Sequence, residues 1–122
     1  MKKITFLILV STFLLVSCSN TDKSAKFAGT WKNVLSDNFY YDLQINIEKV
    51  GENFTVQPCE FYKVNTPSHS IQNPEYWNKM SASYNKENDK LVVSENGGSV
   101  DLIYDLKSDH IIFNGKEYQK SK

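Results

Sequence analysis

Hydrophobic and polar residues alternate along much of the chain, most regularly in residues 39–48. A large apolar side chain occupies every second position of this stretch, which is typical of a strand with one buried face and one face in water. Residues 49–53, KVGEN, contain the glycine that a tight turn needs, and the alternation resumes at residues 54–57. The pattern therefore predicts a β-hairpin.

Shorter apolar stretches after the hairpin predict further strands. Pro58 cannot donate a backbone hydrogen bond, so we expect it to interrupt the ladder ahead of a short edge or bent strand. Asn114-Gly115 suits a type I′ turn between the last two strands, because both residues accept a positive φ. No segment shows a helical period. The remaining strands are predicted at residues 60–64, 81–85, 91–95, 100–106, 110–113 and 116–119.

These elements together predict an all-β domain of about seven or eight short strands joined by tight turns. Strands that follow one another so closely form an antiparallel up-and-down meander. We expect this meander to close into a small β-barrel.

The first 26 residues differ from the rest of the chain in pattern and composition. Two lysines precede an uncharged stretch at residues 4–16, which is too short to span a bilayer and has the layout of a secretory signal peptide. Residues 15–18, LVSC, resemble the lipobox of bacterial lipoproteins, in which the cysteine carries a diacylglycerol and the chain is cut just before it. The resemblance implies a signal peptide at residues 1–17 and a lipid anchor on Cys18. An ordinary secretory signal that happens to contain a cysteine is the alternative.

An acylated cysteine would hold the mature protein at the cell envelope without crossing the membrane. In lipoproteins of enteric bacteria, a residue other than aspartate after the cysteine favours the outer membrane, and here that residue is Ser19. If the host is Gram-negative, the resemblance thus implies an outer-membrane lipoprotein. Residues 18–26 are polar and predict a lipidated, flexible tether, followed by a folded domain at residues 27–122.

Charge and cysteine content exclude several classes of function. Removal of residues 1–17 takes away two of the 14 lysines and none of the 14 acidic residues, which leaves a formal charge of about −2. The chain contains no arginine, so we expect no nucleic-acid partner and no bidentate clamp for phosphate. With Cys18 acylated, Cys59 has no intramolecular partner for a disulfide and is most simply a small buried hydrophobe.

Residues 27–32, FAGTWK, carry a second family resemblance. Gly29 and Trp31 are similar to the G-x-W motif of lipocalins, in which the tryptophan packs across the bottom of the barrel. Lipocalins usually also place an arginine near the last strand against this tryptophan, and this chain has none. The resemblance implies a lipocalin-like barrel that binds a small apolar or amphipathic molecule. Interior aromatic residues are the candidates for ligand contacts: Trp31, Tyr41, Phe54 and Tyr104.

Residues 65–80 form the longest irregular segment of the predicted domain. Long loops often carry function, and tyrosine and tryptophan are enriched in protein-binding hot spots. His69, Tyr76 and Trp77 are therefore candidates for contacts with a partner. Alternatively, Ile71 and the two aromatic residues fold back and cover one end of the barrel as a plug.

No motif of a known catalytic mechanism appears in the sequence. His69 and His110 are too widely separated to indicate a metal site. We therefore expect a non-enzymatic protein without cofactor or metal that binds a small apolar or amphipathic ligand. The alternative is an inhibitor, immunity or exclusion factor that binds another envelope protein, and an enzyme using Cys59 with a histidine is the third hypothesis.

Overall fold

The computed structural model describes residues 22–35 and 39–121. The predicted signal peptide and the predicted lipidation site Cys18 lie outside the described residues. A short 3₁₀ helix at Lys23–Phe27 precedes nine β-strands. The strands are β1 (Gly29–Asn33), β2 (Tyr41–Val50), β3 (Asn53–Tyr62), β4 (Glu75–Tyr76), β5 (Met80–Asn85), β6 (Lys90–Glu95), β7 (Gly98–Asp105), β8 (His110–Phe113) and β9 (Lys116–Lys120).

Eight of these strands close into an antiparallel barrel. Leaving β4 aside, each strand pairs with the next one along the chain, and β9 pairs with β1 to complete the ring. The structure therefore confirms the predicted all-β meander and its closure into a barrel. The short strand β4 is additional and pairs with the last part of β3.

Alternation along the strands directs one set of side chains into the barrel. On β2, Ile45 and Ile47 are buried while Glu48 is exposed, as expected for a strand with one wet face. Each large side chain that is fully buried stabilises the fold by about 1.5–3 kcal/mol. The buried core consists of Phe27, Trp31, Ile45, Ile47, Phe54, Val56, Ala82, Leu91, Val93, Leu102, Ile111, Phe113 and Tyr118.

The hairpin turns have the backbone geometry that their residues favour. Asn114 and Gly115 have φ angles of 52° and 73°, which confirms the predicted turn with two positive φ values. Asn96 and Gly97 repeat this arrangement between β6 and β7, with φ angles of 47° and 79°. These turns connect their strands directly, so the register of the hairpins follows from them.

Pro58 does not end its strand, contrary to expectation. β3 pairs with β2 without a break from Asn53 to Tyr62. Its other edge is divided instead, because β5 pairs with residues 53–56 and β4 with residues 59–60. The Pro58 carbonyl accepts a hydrogen bond from the Trp77 N–H at 2.9 Å. The backbone nitrogen of Pro58 faces the same divided edge, where the lack of an N–H leaves the pairing with β2 intact.

A β-bulge explains why β4 and β5 are separate. Residues 77–79 lie between these strands, opposite only residues 57–58 of β3. One extra residue is therefore inserted, and the ladder is locally lost. β4 continues the line of β5 beyond the bulge.

The two ends of the barrel differ in what covers them. At one end, called the closed end here, lie the β2–β3, β5–β6 and β7–β8 turns together with the 3₁₀ helix. The opposite end, called the open end, carries the β6–β7 and β8–β9 turns and the segment between β3 and β5. Within the described part of the chain, no helix is long and apolar enough to cross a membrane.

The folded structure begins earlier than the sequence predicts. The Asp22 carboxylate accepts hydrogen bonds from the N–H and the hydroxyl of Ser24, at 3.0 and 2.6 Å, and so caps the 3₁₀ helix. Ser24 and Phe27 are buried. The predicted tether at residues 18–26 therefore overlaps a helix that is part of the domain. No helical period is visible in the sequence because five residues are too few to show one.

Candidate binding site at the open end of the barrel

Trp31 fills the interior at the closed end. Its side chain is 1% exposed, and its indole N–H donates to the Phe27 carbonyl at 2.9 Å. The Tyr104 ring packs edge-on against the rings of Trp31 and Phe27, with centroid distances of 6.1 Å and 6.0 Å. Two of the four predicted ligand contacts, Trp31 and Tyr104, thus touch each other within a packed aromatic cluster.

Lys120 places a positive charge over the Trp31 ring. Its ammonium nitrogen lies 5.5 Å from the centre of the Trp31 ring, within the range of a cation–π interaction. Gly29 makes room for this arrangement, because a Cβ atom there would lie 2.7 Å from the Lys120 Cε. The φ angle of Gly29, +133°, is also one that residues with a side chain rarely adopt. Gly29 and Trp31 of β1 therefore both contact the Lys120 side chain of β9.

The other two predicted ligand contacts, Phe54 and Tyr41, lie in different parts of the barrel. Phe54 is 1% exposed and belongs to the core. Tyr41, at the start of β2, packs against Tyr62 at the open end, with ring centroids 6.0 Å apart. Trp31, Phe54 and Tyr104 therefore share one packed core cluster, and Tyr41 lies apart from it.

A cavity of about 510 Å³ lies at the open end of the barrel. The buried side chains of Phe113 and Tyr118 form part of its lining, and Leu43, Pro58 and Met80 add further apolar surface. The alternation pattern places these residues inside the barrel but does not show where the interior is unfilled, so the sequence did not identify the cavity. Its remaining lining residues are Trp77, Asn78, Lys79, Ser81, Ser94, Glu95, Asn96, Asn114 and Lys116.

Charged residues also line this cavity. Lys79 and Lys116 line it, and among the described residues neither has an ion-pair partner. Glu95 adds one carboxylate. Burial raises the pKa of Tyr118 to about 12, so its hydroxyl is neutral near pH 7. The cavity thus combines an apolar surface with ammonium groups and a carboxylate.

His69 connects the long segment after β3 to the barrel. Its ring stacks on Tyr62 with a centroid distance of 4.3 Å, and its Nε2 lies 3.3 Å from a Glu75 carboxylate oxygen. The Tyr62 hydroxyl in turn lies 2.6 Å from Glu60 and 2.8 Å from Glu75. Because a hydroxyl carries one proton, it donates to one of these carboxylates at a time. Desolvation and the two carboxylates raise the pKa of Tyr62.

Tyr76 and Trp77 do not form a buried plug. Their side chains are 54% and 48% exposed, and Ile71 is also exposed. Trp77 instead lines the cavity at the open end. The residue that fills the opposite end together with Trp31 is Phe27 of the 3₁₀ helix, which the sequence placed at the domain boundary.

Cys59 and the two histidines do not come together. Cys59 is fully buried, with its Sγ 3.9 Å from the Gln44 Oε1, and burial raises the pKa of its thiol to about 11. His69 contacts Glu75, and the Nδ1 of His110 lies 2.9 Å from Glu117. Over residues 22–35 and 39–121, no group of three or more histidine, cysteine, aspartate or glutamate residues could hold a metal ion.

The fold and the cavity define a class of protein: a small up-and-down β-barrel that is closed at one end by an N-terminal helix and open at the other. Comparison with protein-family models, curated proteins and solved structures gives no significant match. The class is therefore defined by architecture and by the residues described above.

Proposed function

We propose that the protein is a lipoprotein, anchored to the cell envelope through Cys18, whose lipocalin-like barrel binds a small apolar or amphipathic molecule without catalysing a reaction. The observation that carries this proposal is the cavity of about 510 Å³ at the open end. Small-molecule sites in proteins usually have volumes of about 300–1,000 Å³. The lipobox-like residues 15–18 support the anchor, and Ser19 after the cysteine supports an outer-membrane location if the host is Gram-negative.

The lining of the cavity supports an amphipathic rather than a purely apolar ligand. Leu43, Met80 and Phe113 offer apolar surface to the hydrophobic part of a ligand. Lys79 and Lys116 offer ammonium donors to a polar or anionic group on the same molecule.

The closed end supports the lipocalin-like part of the proposal. Lipocalins pair the tryptophan of G-x-W with a cation from the last strand, and Trp31 and Lys120 form such a pair here. The first and last strands, β1 and β9, are also hydrogen-bonded neighbours, as closure of a barrel of this kind requires.

Fluorescence titration with N-phenyl-1-naphthylamine tests the binding proposal. We would use residues 19–122 without the lipid and compare Leu43→Trp, which fills the cavity, with Ile112→Trp, which adds the same ring at an exposed position on β8. The unchanged protein should bind the probe, Leu43→Trp should lose about tenfold or more in affinity, and Ile112→Trp should bind normally. Unchanged binding by a folded Leu43→Trp variant would contradict the proposed site.

Native mass spectrometry would then identify the natural ligand. The lipoprotein would be extracted gently from its own host, and a small-molecule mass that is lost on denaturation would be the ligand. The Leu43→Trp variant, extracted in the same way, should carry less of that mass.

A second candidate function is binding of another envelope protein, as an inhibitor, immunity or exclusion factor. Exposed aromatic side chains near the open end favour it: Phe39 and Tyr40 pack edge-on with ring centroids 5.4 Å apart, and Tyr76 and Trp77 are half exposed. Aromatic residues of this kind dominate protein-binding hot spots. A partner bound through this surface should be released by Trp77→Ala, whereas Ile112→Ala on β8 should retain it.

A further inference from the structure

The N-terminal end of the folded domain is held at the closed end of the barrel. Asp22 forms an ion pair with Lys49, near the end of β2. At the other end of the 3₁₀ helix, the Lys26 ammonium lies 2.5 Å from Asp89 in the β5–β6 turn. The helix therefore lies across the closed end and is connected to the end of β2 and to the β5–β6 turn.

The distance from this point to the proposed lipid is short. Cys18 precedes Asp22 by four residues, and four residues extend over about 14 Å at most. β2 has ten residues, so a strand of its length, tilted as barrel strands are, rises about 25 Å along the barrel axis. The lipid can reach the closed end but not the open end.

We infer that the closed end of the barrel faces the bilayer that holds the acyl chains of Cys18, and that the cavity opens away from this bilayer. The inference rests on the lipid anchor in the proposed function. It follows from the position of Asp22 and from the length of chain between Asp22 and Cys18.

The turns of the closed end have side chains that suit contact with a lipid surface. Val50 and Leu106 are 55% and 75% exposed at the tips of the β2–β3 and β7–β8 turns. Lys107 lies beside Leu106, while Glu52 and Glu87 add negative charge at the same end. Apolar tips among charges of both signs fit shallow contact with zwitterionic headgroups rather than tight binding to anionic lipid.

This orientation narrows the class of ligand. A molecule embedded in the anchoring bilayer would have to leave it and travel about 25 Å through water to enter the cavity. The ligand is therefore an amphiphile that reaches the protein from the aqueous side, either dissolved or presented by a structure opposite the membrane.

Two matched cysteine variants test the orientation. Ser99→Cys and Ser108→Cys lie at opposite ends of β7, Ser99 near the open end and Ser108 in the turn of the closed end, and both serines are exposed. Each would be made in the full-length protein with Cys59→Ala, labelled with a thiol-reactive fluorophore, and reconstituted as the lipoprotein in phosphatidylethanolamine and phosphatidylglycerol vesicles. Nitroxide attached to lipid headgroups would serve as the quencher.

We expect strong quenching of the label at position 108 and several-fold weaker quenching at position 99. Equal quenching, or stronger quenching at position 99, in vesicle-bound protein would overturn the orientation and leave the anchor intact. Failure of the protein to bind vesicles would instead overturn the anchor, and the orientation with it. The same labels on residues 19–122, which lack both the lipid and the apolar segment 4–16, are the control and should show no quenching by the vesicles.

Discussion

The two ends of the barrel use the same kinds of side chain for different purposes. At the closed end Phe27, Trp31 and Tyr104 pack against one another, and Trp31 is almost inaccessible to water. At the open end Tyr76 and Trp77 are half exposed, and Trp77 lines the cavity. The aromatic side chains at the closed end are therefore packed into the core, whereas Tyr76 and Trp77 at the open end present surface that is available for binding.

The backbone also differs between the two ends of the barrel. The first and last strands meet at Gly29, where an added Cβ atom would lie 2.7 Å from the Cε of the Lys120 side chain. The open end instead contains a bulge at residues 77–79, where the β3–β5 ladder is broken. Bulges often occur at barrel rims and next to binding sites, where they redirect side chains. Here the bulge places Trp77 against the cavity.

The two tryptophans offer the strongest test of this comparison. Trp31→Ala should destabilise the domain by about 3–5 kcal/mol, because it removes a large buried side chain and leaves a cavity. Trp77→Ala should cost less than about 1 kcal/mol, because the ring is 48% exposed. Urea unfolding of residues 19–122, followed by circular dichroism, measures both. Similar losses for the two variants would show that the ends do not differ as described.

The fold could be predicted from the sequence because each strand carries its own information. A period of two, with turn residues such as Asn114-Gly115 between apolar stretches, defines both the strands and their order. The closed end could be predicted in part, since the G-x-W spacing of Gly29 and Trp31 indicated that Trp31 packs across one end of the barrel. The 3₁₀ helix was missed because its one strongly apolar residue, Phe27, follows a polar stretch that is typical of a tether.

The candidate site could not be predicted from the sequence in the same way. Alternation shows that Leu43 and Phe113 point inward, but an inward residue lines a packed core or a cavity depending on distant neighbours. The cation next to Trp31 was also missed, because arginine was the residue expected there. The sequence lacks arginine, yet Lys120 provides the positive charge, and only the pairing of β9 with β1 shows that it is near enough.

A double-mutant cycle would measure the coupling between Gly29 and Lys120 at the closed end. Gly29→Ala should destabilise the protein by about 1–3 kcal/mol, because alanine must adopt an unfavourable φ and its Cβ meets the Lys120 side chain. Lys120→Ala should cost about 0.5–1 kcal/mol through loss of the cation–π contact. The double variant should lose less than the sum, because the shortened side chain removes the clash. Strictly additive losses, measured by urea unfolding, would argue against the close packing of these two residues.

The smallest effect expected concerns the ion pair between the 3₁₀ helix and β2. Hydrogen bonds from Lys49 and from Ser24 lower the pKa of Asp22 from 3.8 to about 2. Because the folded-state pKa is the lower one, Asp22 stabilises the fold above about pH 4, and this contribution is lost as the pH falls toward 2. The melting temperature of Asp22→Asn should therefore lie slightly below that of the unchanged protein at pH 5, and the two should converge near pH 2. A difference that stays constant over this range would mean that Asp22 acts only as a neutral cap of the helix, without its charge contributing to the closed end.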